Sequence, residues 1–575
     1  MDRTSWIAII ISVIGLFAWQ WYVSEYMTPP PAPVAQAPAA MPSATTIPES
    51  VVAVPPAPAV MTALKETLKG EGAEFVFNND TGGIEQVVLG MHLGENKERV
   101  SLNRSRTLPI GAIGFQPGEV LGGFSMSTDL VKGAAVFSAT REGGLEITKR
   151  FLLPPPGEKA KSYTVTLDIS FRNTSTAQYQ VPDFFVAAGG AAPIHIYDLP
   201  MYTCFNWGHE NSMSNIDVNW FSESSVPLVG IQIHGERELY QESEPEIRWA
   251  AVASQYFCTI VTPMGSAVTK SVWAKRFEAP KLNGSEVFGV QGGLIQAGPS
   301  LAPGATETRS FQIYAGPKEL DRLRQLGATQ EEVMSFGVFG FVSEFLLWAM
   351  NSLHGLIGNY AWSIIVLTIL IKSALWPIQN KATSEMRKMA LLSPKMTEMR
   401  EKFKDDPQKM NQEVMKLYKE YGVNPFSGCL PLLVQIPIFF GFYSMLGTAI
   451  ELRNSSFFWV ADLSQADTIG YVLGLPINIL PIVMAGTMVW QMVITPKTGD
   501  AMQQRIFYFM PIIFLVFCYN YASGLALYWT TQNIFSIGQL YLTRNKPMPT
   551  LEKKSIVAKR VAVEAKKNKK NRHSP

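Results

Sequence analysis

At 575 residues the chain is too long for one hydrophobic core, so several domains are expected. It is 47% hydrophobic and only 17% charged, the balance of a membrane protein diluted by a soluble domain. A formal net charge of +2 conceals an asymmetry, since residues 544–575 hold eleven Lys/Arg against two Glu, and four cysteines are too few for a disulfide framework.

The first element, residues 1–27, opens with Arg3 and runs uncharged from Trp6 to Val23. It ends in Trp19, Trp21, Tyr22 and Tyr26, interface-favouring aromatics in place of a small-residue cleavage site, and is read as a retained signal anchor. Residues 28–60 contain ten prolines and no Lys or Arg, the composition of an extended linker.

From 61 to 316 the chain is rich in Gly, Thr, Val and aromatics. Tyr163, Val165, Leu167, Ile169 and Phe171 alternate strictly, which is strand period, and Glu74–Phe77 and Arg248–Ala253 read the same way. The expectation is an all-β sandwich. Cys204 and Cys258 fall inside it and are able to pair in an oxidising compartment, a question the sequence leaves open. His92, His195, His209 and His234 are scattered without metal-ligand spacing, and no metal site is expected.

Residues 317–359 turn from polar to apolar. Phe341, Phe345 and Trp348 recur at helical spacing, as in a helix lying in the membrane interface or in a buried structural helix. Residues 360–378 form a span bounded by Trp362 and Trp376 and containing Lys372, with Thr368 one turn earlier on the same face. An intramembrane cation is a functional-site hypothesis. The alternative is snorkelling, because Lys372 lies about 7–8 Å from Pro377 along the helix. Residues 379–423 follow as a charged cytoplasmic helical hairpin. Pro394 interrupts its first helix, and Asp406-Pro407 starts the second. Its Met-rich faces suit either packing on themselves or binding varied apolar partners.

The stretch Asn424–Leu446, NPFSGCLPLLVQIPIFFGFYSML, sits in an uncharged run from Tyr421 to Ile450 and carries Pro425, Pro431, Pro437 and the mid-span amide Gln435. Prolines are tolerated in a span whose freed backbone groups find partners in neighbouring helices. Its pattern NP-x-x-GC-x-P-x-L-x-Q-x-PIF resembles the third span of the YidC/Oxa/Alb membrane protein insertases, and the element order resembles the Gram-negative type with a large periplasmic domain. Further spans are expected at about 472–494, 505–519 and 523–543, making a helical domain over 424–543 before the basic cytoplasmic tail 544–575. Gln532, Asn533 and Ser536 recur along the last span, either as glue between helices or as the wall of a wet groove. Lys/Arg counts place 378–421, 497–505 and 544–575 in the cytoplasm. The tail suits anionic lipid or ribosomal RNA.

The resemblance implies a multi-domain membrane protein: an all-β periplasmic supersandwich plus an α-helical transmembrane bundle, with a five-helix core and one N-terminal anchor helix. It places the 336–359 helix at the periplasmic interface. It implies a membrane insertase in the bacterial inner membrane, both termini cytoplasmic, acting on nascent membrane protein clients with the Sec translocon and the ribosome. It further implies a groove charge at Lys372, where family members usually carry Arg. Lys372, Gln491 and the polar half of the last span all fall in the cytoplasmic leaflet, which itself points to a polar groove, with Thr368, Gln435, Gln532, Asn533 and Ser536 as its polar residues. A client-contact slide is implied at Phe439, Met484, Met488, Phe517 and Trp529. No P-loop and no nucleophile–base pair is present, so no catalytic residue and no cofactor is expected. The rival reading is a transporter or channel with a sugar-binding-like periplasmic domain.

Overall fold

The computed structural model describes residues 66–544, apart from 95–97, 105–106, 130–132, 156, 158–160, 196, 226–231, 244–245, 266–268, 283, 405, 424–429 and 496–500. The anchor expected over 1–27, the linker 28–60 and the tail beyond 544 lie outside the described residues. The chain divides into two units, Met1–Met334 and Ser335–Pro575.

The first unit is built from antiparallel sheets. Its largest has nine strands, in the order Met213–Asp217, Cys204–Gly208, Trp249–Ala253, Phe257–Met264, Thr306–Pro317, Thr164–Asn173, Leu145–Leu152, Ala134–Arg141 and Ser125–Asp129. A five-stranded sheet, centred on Ser285–Gln296, a four-stranded sheet at the N-terminal end and two short strand pairs, Tyr179–Gln180 with Ser300–Leu301 and Ser224–Ser225 with Gln232–His234, complete its described sheets. Strand Thr164–Asn173 buries Val165, Leu167, Ile169 and Phe171 and turns Thr166, Asp168 and Ser170 outward, as period-2 patterning requires. Trp249–Ala253 differs. All five residues are buried because the strand packs against both Ser285–Gln296 and the short helix Gln330–Met334. Trp249 Nε1 donates to Ala328 O at 2.6 Å.

Cys204 and Cys258 are both free. Cys204 pairs in register with Ala253, which pairs with Cys258, so the cysteines stand two strands apart. At about 4.8 Å per strand their Cα atoms exceed the ~7 Å a disulfide spans. Burial pushes both thiols up to about 12. Lys149 is also wholly buried. Its Nζ donates to Thr81 O at 2.6 Å and lies 4.5 Å from the Phe124 ring centroid, and burial holds its amine well below the ordinary value of 10.5.

The second unit is mostly helical. Helix α1 (Gly340–Ile357) packs on α2 (Tyr360–Lys402) and α4 (Leu430–Thr448). Ser343 Oγ donates to Gly441 O at 3.0 Å, and a Cβ on Gly441 would meet Val342 at 2.7 Å, so small residues set this close approach. Phe341, Phe345 and Trp348 point outward, 75%, 57% and 65% exposed. Helix α2 runs unbroken through Pro377 and Pro394. The interruption expected at Pro394 is therefore corrected: each proline removes one backbone bond, and the rest of a 43-residue helix carries it across. Helix α3 (Pro407–Tyr421), capped by Asp406 Oδ1 accepting from Lys409 N at 3.0 Å, packs Val414, Leu417, Tyr418 and Tyr421 on Met389, Leu392 and Met396 of α2. Part of the Met-rich surface is thus used internally.

Within the span expected at about 472–494 the helix begins at Ile479. Thr468–Val472 and Leu475–Asn478 form a β-hairpin, and α5 spans Ile479–Ile494. Helices α6 (Ala501–Cys518) and α7 (Ser523–Arg544) follow. Among the described residues one helix is long and apolar enough to cross a membrane, within Tyr360–Met399, and Leu433–Thr448, Ile479–Ile494 and Tyr508–Cys518 are shorter apolar helices. Helix α7 packs on α2 and α5 and also touches α4, which brings its polar side against three neighbours.

Candidate functional site: a polar seam across three helices

Lys372 on α2 is 4% exposed, and its Nζ donates to Gln435 Oε1 on α4 at 3.2 Å. Gln435 Nε2 in turn donates to Tyr528 OH at 3.0 Å and Gln532 Oε1 at 3.1 Å, both on α7. One amide therefore joins three helices. An amide suits this position because it offers an acceptor to the cation and donors to the far side at once. Among the described residues no carboxylate pairs with Lys372. The single contact is that of a point charge and needs no guanidinium fork.

The expected polar residues separate into two clusters, with Thr368 in neither. Thr368, 1% exposed, returns its hydroxyl to Ile364 O at 2.7 Å within its own helix. Gln532 and Ser536, both 8% exposed, lie one turn apart on the seam face. Asn533 turns away instead. Its Nδ2 donates to Thr487 Oγ1 on α5 at 3.0 Å, and Thr487 donates to Met484 O at 2.7 Å, so Asn533 joins α7 to α5. Adjacent helical residues point about 100° apart, which separates Gln532 from Asn533.

The apolar candidates also vary. Phe439 meets Trp529 edge-on at 4.9 Å, and Trp529 lies 4.6 Å from Phe514. Phe517 is 56% exposed near Tyr443, Met488 is half-buried, and Met484 is fully buried. The apolar surface beside the seam is thus aromatic and partly open, with Met484 inside the helix packing.

Sequence reasoning missed Tyr528, although it stands one turn before Gln532 on the same face. It also missed Thr487, whose signal is only its spacing from Met484. At one end of α7, Gln539 Nε2 donates to Asn380 Oδ1 at 3.4 Å and Arg387 to Thr543 O at 2.8 Å, tying the extension of α2 to the helix. Near the opposite end of the bundle, Asn351 on α1 donates to Glu451 at 3.2 Å. Polar contacts thus tie the helices of an apolar bundle at several levels.

The sequence matches two family descriptions: "60Kd inner membrane protein" over residues 352–550 and "YidC periplasmic domain" over residues 124–349. It is 32% identical over 563 residues to the membrane protein insertase YidC of Nitratidesulfovibrio vulgaris, covering 94% of this chain and 98% of that one. A 29% identity to the YidC of Syntrophus aciditrophicus covers 94% and 99%. The match to the YidC of a Janthinobacterium strain is 37% identical and covers 52% of this chain and 53% of that one. A solved active YidC insertase with its first transmembrane domain resolved aligns at TM-score 0.35 and 18% identity, covering 85% of this chain and 94% of that one. With both parts of the chain matched, and a relative above 30% identity covered almost end to end, the chain belongs to the YidC family of membrane protein insertases.

Proposed function

We propose that this insertase works by solvation, through the polar seam around Lys372. Moving a polar client segment through hydrocarbon costs several kcal/mol per unsatisfied group. A cation backed by Gln435, Tyr528 and Gln532 offers such a segment partners partway across, and Phe439, Met488, Phe517 and Trp529 offer the client's apolar helix a surface beside it. Lys372 draws acidic residues of the client, and no bond is made or broken. The observation that carries this reading is the three-helix hydrogen-bonded relay from Lys372 through Gln435 to α7.

The seam is assigned to the cytoplasmic side because the charged segments at 378–421 and 497–505 and the tail beyond 544 lie on the same side of the spans. In this arrangement 1–27 is an anchor with Arg3 inside, the β unit lies in the periplasm, and the spans at 360–378 and within 424–543 surround a groove entered from the cytoplasm and from lipid. Nascent membrane proteins are the clients. The Sec translocon, the ribosome and anionic lipid are proposed partners, the last two through the α2–α3 hairpin and the basic tail. The transporter or channel reading has no support in the geometry or the relatives.

Lys372 variants test this. Lys372→Arg should insert clients with acidic translocated segments normally, Lys372→Ala should be intermediate, and Lys372→Glu should fail. Normal insertion of acidic clients by Lys372→Glu would overturn the role of the charge.

A further inference from the structure

The hairpin Thr468–Asn478 is held at its base and bare at its tip. Asn478 Nδ2 donates to Tyr519 O at 2.6 Å, Tyr519 OH to Pro476 O at 2.7 Å, and Thr468 Oγ1 to Asn478 Oδ1 at 2.7 Å. Asp467 Oδ2 accepts from Leu480 N at 2.7 Å and from Trp459 Nε1 at 2.9 Å. Beyond these bonds Ile469, Tyr471, Val472, Leu473 and Leu475 are 54%, 67%, 57%, 98% and 71% exposed.

Val472 pairs with Leu475, so Leu473-Gly474 is a two-residue turn, with φ of 51° and 81°. Turns with both central φ values positive favour Asn-Gly or Asp-Gly, because an ordinary side chain is strained there. Leucine at the first position accepts that strain and exposes nearly all its apolar surface. A polar residue would relieve both costs, so the position is explained only if an apolar side chain is wanted at the tip. No charge occurs from Thr468 to Pro496, although exposed edge strands in water are commonly blunted with Lys or other charges. From Ile469 to Ile477 the Tyr471 hydroxyl is the sole side-chain polar group, so the hairpin lacks the polar rim of a protein interface. It also runs directly into α5, whose outer side chains Ile482, Val489 and Val493 are exposed and apolar.

We infer that the hairpin tip dips into the lipid surface beside α5, seating Leu473 and its neighbours at the boundary of headgroups and acyl chains. The depth is shallow, because a two-stranded hairpin has unpaired backbone groups along its edges that hydrocarbon does not satisfy, and Tyr471 favours the interface. The leaflet is the periplasmic one, which rests on the topology proposed above.

The test uses the full chain with its four native cysteines replaced by serine, Leu473→Cys labelled with an environment-sensitive NBD probe, in phosphatidylethanolamine/phosphatidylglycerol vesicles. A nitroxide carried near the lipid headgroup should remove most of the emission, a nitroxide near the acyl end should remove less, and iodide should remove almost none. Quenching by iodide alone would place the tip in water, and protection from all three would place it inside protein; either overturns the inference. With the probe at Val472→Cys, adding Leu473→Asn should at least halve quenching by the shallow nitroxide. Thermal unfolding of the same variant in detergent should stay level or rise, since asparagine suits the turn. Unchanged quenching would show that Leu473 is not the anchor. Bleaching by external dithionite reports the leaflet separately, so an error in topology leaves the depth result intact.

Discussion

Gln435 is the residue on which the seam depends, because it spends its acceptor on Lys372 and its donors on Tyr528 and Gln532. Gln435→Leu removes these bonds while keeping an apolar span. At roughly 0.6 kcal/mol for each interhelical bond in a membrane, the three bonds together contribute about 2 kcal/mol, which the bundle should lose. Insertion of acidic-loop clients should fall about fivefold or more, while clients without such loops are spared. Pulse-labelled insertion assays measure this, and equal losses for both client classes would assign Gln435 to stability alone. In the β unit, Lys149 gives a prediction of a different kind. Its folded amine titrates below the unfolded value of 10.5, chiefly through burial, with Arg141 adding to it. Between the lowered folded value and 10.5 unfolding takes up a proton, so Lys149 should make this unit gain stability as pH rises toward 10.5, by at most about 1.4 kcal/mol per pH unit for each such lysine. The free thiols Cys204 and Cys258, raised from 9.0 to about 12, oppose this above their unfolded value. Lys149→Met should flatten the rise in tryptophan-detected melting, and an unchanged slope would remove Lys149 from the account.

At the scale of elements, α2 joins the seam to the charged hairpin as one rod. It carries Lys372 on one stretch, and Met389, Leu392 and Met396 against α3 on another. Shortening 384–415 should therefore impair insertion while leaving the protein in the membrane, since the spans do not need the hairpin to insert. Normal client insertion by the truncated protein would reduce the hairpin to a connector. Elements with one dominant period were legible in the sequence. Thr164–Asn173 alternates because one face is covered, whereas Trp249–Ala253 does not because both faces are. The Thr468–Asn478 hairpin was not legible, because its uncharged residues merge with those of α5 and a hydrophobic run alone does not tell strand from helix. The unbroken α2 was missed for the opposite reason, since proline argues locally for a break that a long helix overrides.

At the scale of the molecule, the seam residues were found from their chemistry: a cation and an amide stand out in an uncharged span. Their division into a Lys372–Gln435–Gln532 cluster and an Asn533–Thr487 cluster depends on helix rotation, which only packing sets. The distribution of Lys and Arg carries the topology. Cysteines introduced near Gly122 and Gln465 should be labelled from outside the cell, and those near Asp406 and Lys567 should not. External labelling at Asp406 would overturn the arrangement that puts the seam on the cytoplasmic side.

The most direct test of the seam as the client's path is site-specific crosslinking to ribosome-stalled clients carrying an acidic translocated segment. Photoreactive residues would stand at Phe439 and Phe517, beside the seam but outside its hydrogen bonds, and at Ile482, which is 50% exposed on the outer side of α5. Strong crosslinks are expected from 439 and 517 that fall when Lys372 is changed to Glu, and weak crosslinks from 482. Crosslinks from 482 equal to those from 439 and 517, unaffected by Lys372→Glu, would contradict the seam as the client's path.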